Sequence, residues 1–198
     1  MGPRAHTGGV DERTTSAAPG ELELVRRFVN TLDIEQGTDE LATPEAAARW
    51  LATAGYGFVP SRGRLRTLVE LREAIRDLVS ERGSEGERAA AETLDRLAVR
   101  SPLRVRISGG GSLPLAPVGE GVEGFVGGVL AIVAASIIDG SWDRLKACPN
   151  DRCRWLFYDN SRNRSRTWCS MDVCGSRAKM RTYRSRRRAA ASAPSDRS

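Results

Sequence analysis

The four cysteines of this chain form two local pairs, Cys148/Cys153 and Cys169/Cys174, separated by fifteen residues. They are the only cysteines among its 198 residues. Each pair closes a short loop at little entropic cost, and four thiolates complete a tetrahedral shell around one metal ion. The spacing therefore predicts a compact C-terminal unit in which these four side chains bind one structural Zn²⁺.

Two other uses of four cysteines remain open, namely two disulfides or an iron–sulfur cluster. A catalytic zinc ion is not expected, because four thiolates leave no coordination position for water. The sequence shows no secretory signal pattern, and its longest mostly apolar run, at 125–138, is too short to span a bilayer. We therefore expect a cytoplasmic protein without membrane contact. In that reducing compartment, paired cysteines more often bind metal than form disulfides.

Charge is divided unevenly along the chain. The segment 148–198 contains 13 Lys/Arg and 4 Asp/Glu, a net charge of +9, whereas the remainder contains 18 and 21, a net charge of −3. An acidic body followed by a basic C-terminal unit indicates a two-part protein whose basic part selects a polyanion.

The basic residues of the C-terminal unit fall into two groups. Arg162, Arg164 and Arg166 alternate, so an extended backbone would place all three on one face. After Cys174 the sequence favours a helix, on which one stripe of arginines is flanked by further basic residues. Arginine makes bidentate contacts with phosphate and guanine. These residues are therefore candidate nucleic-acid contacts: Arg162, Arg164, Arg166, Arg177, Lys179, Arg181, Arg184, Arg186, Arg187 and Arg188.

Helical periodicity dominates the part of the chain before the cysteines. A mainly α fold with one β-hairpin is predicted, with helices near 21–32, 44–55, 65–79, 87–98 and 122–145 and strands near 103–107 and 112–118. On the third helix the polar side is expected to be solvated; it consists of Arg66, Glu70, Arg72, Glu73, Arg76 and Asp77. We expect Trp50 in the core. The cysteine unit is expected to contain its own hairpin after Trp155.

The C-terminal motif resembles the CGNR zinc finger. Its sequence is C-x4-C-R-W-L-F-Y-D-N-S-R-N-R-S-R-T-W-C-S-M-D-V-C-G-S-R. The upstream body resembles the ABATE domain that accompanies this finger, through F-V-N-T-L-D at 28–33, T-P-E-A-A-A-R-W-L at 43–51, L-R-E-A-I-R-D-L at 71–78 and L-P-L-A-P before the long helix. The resemblance implies a stress-induced bacterial transcriptional regulator whose finger binds DNA.

The resemblance places the zinc ligands on the same four cysteines and the family signature on Cys174, Gly175, Ser176 and Arg177. Ser176 stands where the signature has asparagine. Serine can cap a helix, but it cannot make the bidentate contact of an amide with adenine. Arg177 keeps its place as a candidate for phosphate or base contact.

We predict an α-helical body at 21–145 and a zinc finger at 146–188 that ends in a basic helix, with disordered tails at 1–20 and 189–198. The body has no nucleophile motif or carboxylate cluster for metal, so no enzymatic activity is expected. Asn30, Thr31 and Asp33 could line a small-molecule pocket, although residues that end a helix are more often caps. A DNA-binding regulator is the first interpretation. The alternatives are an RNA-binding or ribosome-associated protein that stacks bases on Trp155, Phe157, Tyr158 and Trp168, or an adaptor for an acidic protein.

Overall fold

A computed structural model describes residues 17–107 and 113–191, with backbone only for 188–191. Most of the predicted tails at 1–20 and 189–198, and the glycine turn at 109–111, therefore lie outside the described residues. Residue 18 is already buried against the first helix.

In the described part of the chain five helices form the body, and three of them begin at a side-chain cap. Hydroxyl caps precede α2, α3 and α4; for example, Thr43 Oγ1 accepts from the amide of Ala46 at 3.2 Å, and Pro44 occupies the first helical position. The helices are α1 (Leu22–Val29), α2 (Pro44–Thr53), α3 (Arg62–Ser80), α4 (Glu85–Arg100) and α5 (Gly121–Ile138).

An aromatic cluster marks the centre of the core. The ring centroids of Phe28 and Phe125 lie 5.0 Å apart, and Trp50 lies 5.6 Å from Phe28. Trp50 is 5% exposed, as expected of a core residue. Among the described helices, α5 alone is long and apolar enough to cross a membrane, but Phe125, Val126 and Val129 on it are fully buried in this core. We therefore interpret α5 as the central core helix.

Short antiparallel strand pairs connect the helices. Strand β1 (Leu32–Asp33) pairs with β2 (Thr38–Asp39), and β3 (Leu103–Val105) pairs with β4 (Leu115–Pro117). Gly127 of α5 lies against the second pair, because a Cβ there would be 3.2 Å from Cβ of Pro117. The last helix of the body is shorter than predicted: α5 ends at Ile138, and a 3₁₀ turn (Ser141–Arg144) leads into strand β5 (Leu145–Ala147).

The prediction of a solvated polar face on α3 is wrong for two residues. Arg72 is 2% exposed and Arg76 is fully buried. Arg72 forms an ion pair with Asp39 at 2.6 Å. Arg76 donates to Glu73, to the carbonyl of Val29 at 2.6 Å and to the carbonyl of Arg154 at 3.0 Å. The alternation of charges indicates an exposed face. In the structure, hydrogen bonds to carboxylates and carbonyls offset the free-energy cost of burying the two guanidinium groups.

Strand β5 and its partner β6 (Leu156–Tyr158) attach the cysteine unit to the body. Leu145, Leu156 and Tyr158 belong to the same buried cluster as the body helices. Phe157 faces the opposite way and packs with the four cysteines. Successive side chains of a strand point to opposite faces. One face of the hairpin therefore packs in the body core and the other packs with the cysteines.

Candidate metal centre and nucleic-acid interface

The β5–β6 hairpin positions the first cysteine pair. The strands are antiparallel, with Leu145 opposite Tyr158 and Ala147 opposite Leu156, and the Cys148 amide donates to the Trp155 carbonyl at 2.9 Å. Residues 148–155, which include the first cysteine pair, therefore form the connection between the two strands. The hairpin predicted after Trp155 is wrong, since β6 pairs with residues before Cys148 rather than with the spacer that follows.

Asp159 organises the segment that leads to the second cysteine pair. Its carboxylate is fully buried and accepts from Lys146 Nζ at 2.6 Å, from the amide and hydroxyl of Ser161 at 2.9 and 2.5 Å, and from the Arg166 amide at 3.0 Å. Burial raises the pKa of this carboxyl, but these donors outweigh burial and hold the pKa well below its usual range. Asp159 is therefore an anion that fixes a segment without helix or strand.

Arg166 connects this segment to the third cysteine. Its guanidinium donates to the Trp168 carbonyl at 3.0 Å and also to the Cys169 carbonyl, and it lies 5.1 Å from the ring centroid of Phe157. The side chain is thus held within the finger itself, where it positions Cys169.

The fourth cysteine lies in a π-helical turn, Met171–Gly175, that leads directly into helix α6 (Ser176–Ala191). The Ser170 hydroxyl accepts from the Val173 amide at 3.3 Å and caps the turn. Ser176 donates its hydroxyl to the Met171 carbonyl at 3.2 Å, which ties the turn to the helix. A Cβ at Gly175 would lie 2.9 Å from Met171 Sδ, so glycine allows this close packing.

The four thiols meet in one buried cluster. Cys148 and Cys153 are each 2% exposed and Cys169 and Cys174 are fully buried, and all four sulfurs lie within 4.8 Å of one another. The Sγ–Sγ distance is 3.6 Å for Cys153 and Cys169 and 3.7 Å for Cys169 and Cys174. The side-chain amide of Asn150 donates toward Cys174 Sγ at 3.7 Å.

These distances fit a tetrahedral metal–thiolate shell. Ligands 2.3 Å from a central ion at tetrahedral angles are about 3.8 Å apart, close to the Sγ–Sγ distances of 3.6 and 3.7 Å given above. They are far beyond the ~2.05 Å of a disulfide bond, and all four cysteines are free. The two-disulfide alternative therefore does not describe this arrangement, and the cluster is a candidate metal site.

The close packing of the thiols also perturbs the pKa values of Cys148, Cys153 and Cys169. A hydrogen bond with Cys148 raises the pKa of Cys153 to about 12, with a further contribution from burial, although a hydrogen bond with Cys169 acts in the opposite direction. Hydrogen bonds to Cys148 and Cys153, again with burial, raise the pKa of Cys169. Hydrogen bonds with Cys153 and Cys169 lower the pKa of Cys148, so Cys148 is the favoured thiolate and further thiolates beside it are disfavoured. A divalent ion removes this conflict because it stabilises every coordinated thiolate.

Helix α6 presents an exposed basic surface beside the metal site. It carries seven basic and no acidic residues. The candidate contacts on it whose side chains are described are all exposed: Arg177, Lys179, Arg181, Arg184, Arg186 and Arg187. The side chain of Arg188 lies outside the described part of the chain. The predicted helix after Cys174 is confirmed, and it continues to Ala191, beyond the predicted start of the tail at 189.

A groove of about 1430 Å³ runs along one side of α6 and is here called the α6 groove. Its basic lining consists of Arg152, Arg177, Arg181 and Arg184. The opposite wall comes from the turn between β1 and β2, where the Glu35 carboxylate forms an ion pair with Arg177 Nη1. Body and finger therefore share this groove.

Two family comparisons match the two parts of this arrangement. Residues 144–187 match the CGNR zinc finger, and residues 22–140 match ABATE, described as "Putative stress-induced transcription regulator". The chain belongs to the ABATE family. No curated protein matches the sequence. The zinc-finger match covers all four cysteines, and the resemblance in motif order noted in the sequence is confirmed.

The first arginine group of the CGNR finger is not arranged as predicted. The backbone is not extended, since Arg164 has a φ of 52°, and the Arg166 guanidinium donates to carbonyls within the finger. Arg162 and Arg164 are exposed, and the backbone carbonyl of Arg164 accepts from Lys146 at 2.6 Å. Arg162 and Arg164 remain candidate nucleic-acid contacts, whereas the role shown for Arg166 is structural.

The polar residues considered for a ligand pocket in the ABATE body contact the protein instead. Asn30 pairs with the backbone of Leu156, and the Thr31 hydroxyl donates to the Phe28 carbonyl at 2.8 Å. Asp33 Oδ1 accepts from the amides of Glu35 and Gln36 at 3.0 Å each. These groups stabilise the junction of α1, the β1–β2 turn and the finger.

Sequence reasoning did not identify Glu35, Asn150, Lys146 or Asp159 as parts of the site. Asn150 and Asp159 lie inside the CGNR motif, at fixed offsets from Cys148 and Cys153, and that position was an available signal. Glu35 gave none, because it is 142 positions from its partner Arg177 and only the fold brings them together.

Proposed function

We propose that this ABATE protein is a cytoplasmic, zinc-dependent transcriptional regulator that binds duplex DNA through α6. The observation that carries the proposal is the basic helix itself, whose described basic side chains from Arg177 to Arg187 are all exposed and which is fixed at one end by Cys174 of the metal site. A helix of this diameter fits the major groove, and its guanidinium groups reach phosphates and base edges.

Zinc is the proposed ion, with one ion per chain. Four buried thiolates select zinc over magnesium and calcium, which prefer oxygen ligands. When bound, zinc supplies a cross-link rather than a reaction, because the four sulfurs fill its coordination shell. The chain's own groups do the rest: Asn150 donates toward a ligand sulfur, while Asp159 and Arg166 position Cys169.

The RNA alternative depends on base stacking on the finger aromatics, and it has less structural support than duplex binding through α6. Phe157 is fully buried and Tyr158 is 7% exposed, and both pack in a core. Two of the four proposed stacking residues are therefore inaccessible to nucleobases. A regulator that binds duplex DNA through its phosphates does not need aromatic side chains on which bases stack.

We propose binding, not catalysis, as the activity.

The test compares ligands by fluorescence anisotropy. Zinc-loaded protein is titrated into a labelled random 20-bp duplex, a hairpin RNA and poly-glutamate at several salt concentrations. Duplex should bind most tightly, with log K falling by about 0.9 per log[salt] for each phosphate contact. Arg181→Ala combined with Arg184→Ala should reduce the slope by about 2. The control is Arg66→Ala, an exposed arginine on α3. Tighter binding of RNA or poly-glutamate would contradict the proposal.

A further inference from the structure

The ion pair between Glu35 and Arg177 lies at the end of α6 nearest the metal site. Arg177 directly follows Ser176, the first residue of the helix, and its side chain is about half exposed. Glu35 is one-quarter exposed on the opposite wall of the α6 groove. The contact uses Nη1 of Arg177, so the Nε–Nη2 edge has no hydrogen-bond partner among the described residues.

The turn that carries Glu35 is braced on both sides. The Glu35 amide donates to Asp33 Oδ1 at 3.0 Å, and the Gly37 amide donates to the Asp33 carbonyl at 2.9 Å. Strand β2 is held by the ion pair of Asp39 with buried Arg72. The carboxylate is thus presented from a fixed point of the body, and it restricts the orientation of the Arg177 guanidinium.

The charge of Glu35 decides which part of a duplex suits Arg177. A phosphate that approached Arg177 would also approach the Glu35 carboxylate, and two more acidic residues, Asp151 and Asp172, line the same groove. Like charges repel, so the Glu35 carboxylate disfavours a phosphate beside Arg177. Arg181 and Arg184, by contrast, have no acidic partner in the described structure.

We propose that Arg177, oriented by Glu35, reads guanine in the major groove, whereas Arg181 and Arg184 grip phosphate. The free edge of an arginine donates two parallel hydrogen bonds to O6 and N7 of guanine, and a neutral base edge is not repelled by the carboxylate. Glu35 is then a specificity-determining residue that positions Arg177 and penalises non-specific backbone contact. The inference rests on the proposed binding of duplex DNA.

A simple surface ion pair would look similar in the structure but behave differently on substitution. Lysine keeps the positive charge and loses the fork. If Arg177 binds phosphate or only Glu35, Arg177→Lys should be nearly silent. If it reads guanine, Arg177→Lys should be as damaging as Arg177→Ala to base preference, with helix content and zinc content unchanged.

The experiment selects random duplexes with the full-length, zinc-loaded protein and sequences the bound fraction. Wild type should enrich a site containing an invariant guanine. Arg177→Ala and Arg177→Lys should lower the preference at that guanine by about 10-fold, whereas Arg181→Ala should weaken all sequences alike. Glu35→Gln should bind random duplex several-fold more tightly, with a salt slope larger by about 1, and should show less guanine preference. Its control is Glu92→Gln, an exposed carboxylate on α4 with the same change in charge.

Replacing the selected guanine by 7-deazaguanine removes the N7 acceptor. It should weaken wild type about 5-fold and leave Arg177→Ala unaffected. Binding without an enriched guanine, or equal behaviour of Glu35→Gln and Glu92→Gln, would overturn the inference while leaving duplex binding intact. Absence of duplex binding by wild type would overturn the proposed function and this inference with it.

Discussion

Asn30 and Leu156 exchange two hydrogen bonds across 126 positions of the chain. The Asn30 amide donates to the Leu156 carbonyl at 2.8 Å, and its carbonyl oxygen accepts from the Leu156 amide at 2.8 Å. Both residues are buried. The Asn30 side chain at the end of α1 thus forms the two backbone hydrogen bonds that a neighbouring strand would form with Leu156. These bonds attach the finger hairpin to the body.

Asn30→Ala should lower the free energy of unfolding by about 2–3 kcal/mol. The substitution leaves the buried N–H and C=O of Leu156 without partners, and each unpaired group costs roughly 1–3 kcal/mol. Urea unfolding followed by far-UV circular dichroism measures the change. Asn160→Ala, at an exposed position, should change stability by less than about 0.5 kcal/mol. Equal effects of the two substitutions would contradict the role of Asn30.

Arg76→Ala should destabilise the protein by about 3 kcal/mol, because the carbonyls of Val29 and Arg154 and the Glu73 carboxylate lose a buried donor. Since Arg154 lies in the finger, the same substitution should loosen the finger from the body. Thermal unfolding and limited proteolysis near residue 154 report the two effects. Arg66→Ala on the exposed side of α3 is the control, and a variant as stable as wild type would show that Arg76 is dispensable.

Asp159→Asn should reduce stability by about 2 kcal/mol and metal affinity by about 10-fold at neutral pH. Asparagine keeps the shape but loses the charge that binds Lys146 and one of the two oxygens that accept from Lys146, Ser161 and Arg166. Cys169 is then less well positioned, because Arg166 holds its carbonyl. Competition with a chromophoric chelator gives the affinity. An unchanged affinity would separate Asp159 from the metal site.

Cys169→Ser should abolish stoichiometric zinc binding, whereas wild type should contain about one zinc per chain by elemental analysis. For wild type without metal, zinc at about 100 times its Kd should stabilise the fold by about 2.7 kcal/mol. We expect near-UV signals of Trp155 and Trp168, which pack against the cysteines, to change on metal loss. The body helices and the β5–β6 hairpin should persist, since Leu145 and Leu156 lie in the body core. Full zinc content in the variant would contradict the ligand assignment.

Local patterns in the sequence predicted the features that depend on local interactions. Thr43 and Pro44 marked the start of α2, and the paired spacing of the cysteines predicted their cluster. Features that depend on distant partners were missed. Arg76 lies in a charged repeat that is typical of an exposed face. Its guanidinium is nevertheless buried, where it donates to carbonyls of α1 and of the finger.

The position of β6 shows the same limit. The apolar run at 155–158 is typical of a strand, but such a run does not indicate which strand pairs with it, and in the structure that partner is β5. Glu35 could not be found because only the folded body brings the β1–β2 turn to α6.

The most direct measurement is a zinc titration of the metal-free protein in the presence of a labelled duplex. Anisotropy and zinc occupancy are followed together at a constant, physiological salt concentration. If the metal site fixes α6 for DNA binding, affinity should rise with occupancy and reach its plateau at about one equivalent of zinc. Binding of equal strength before zinc is added would contradict the central claim that the metal-held helix is the DNA-binding element.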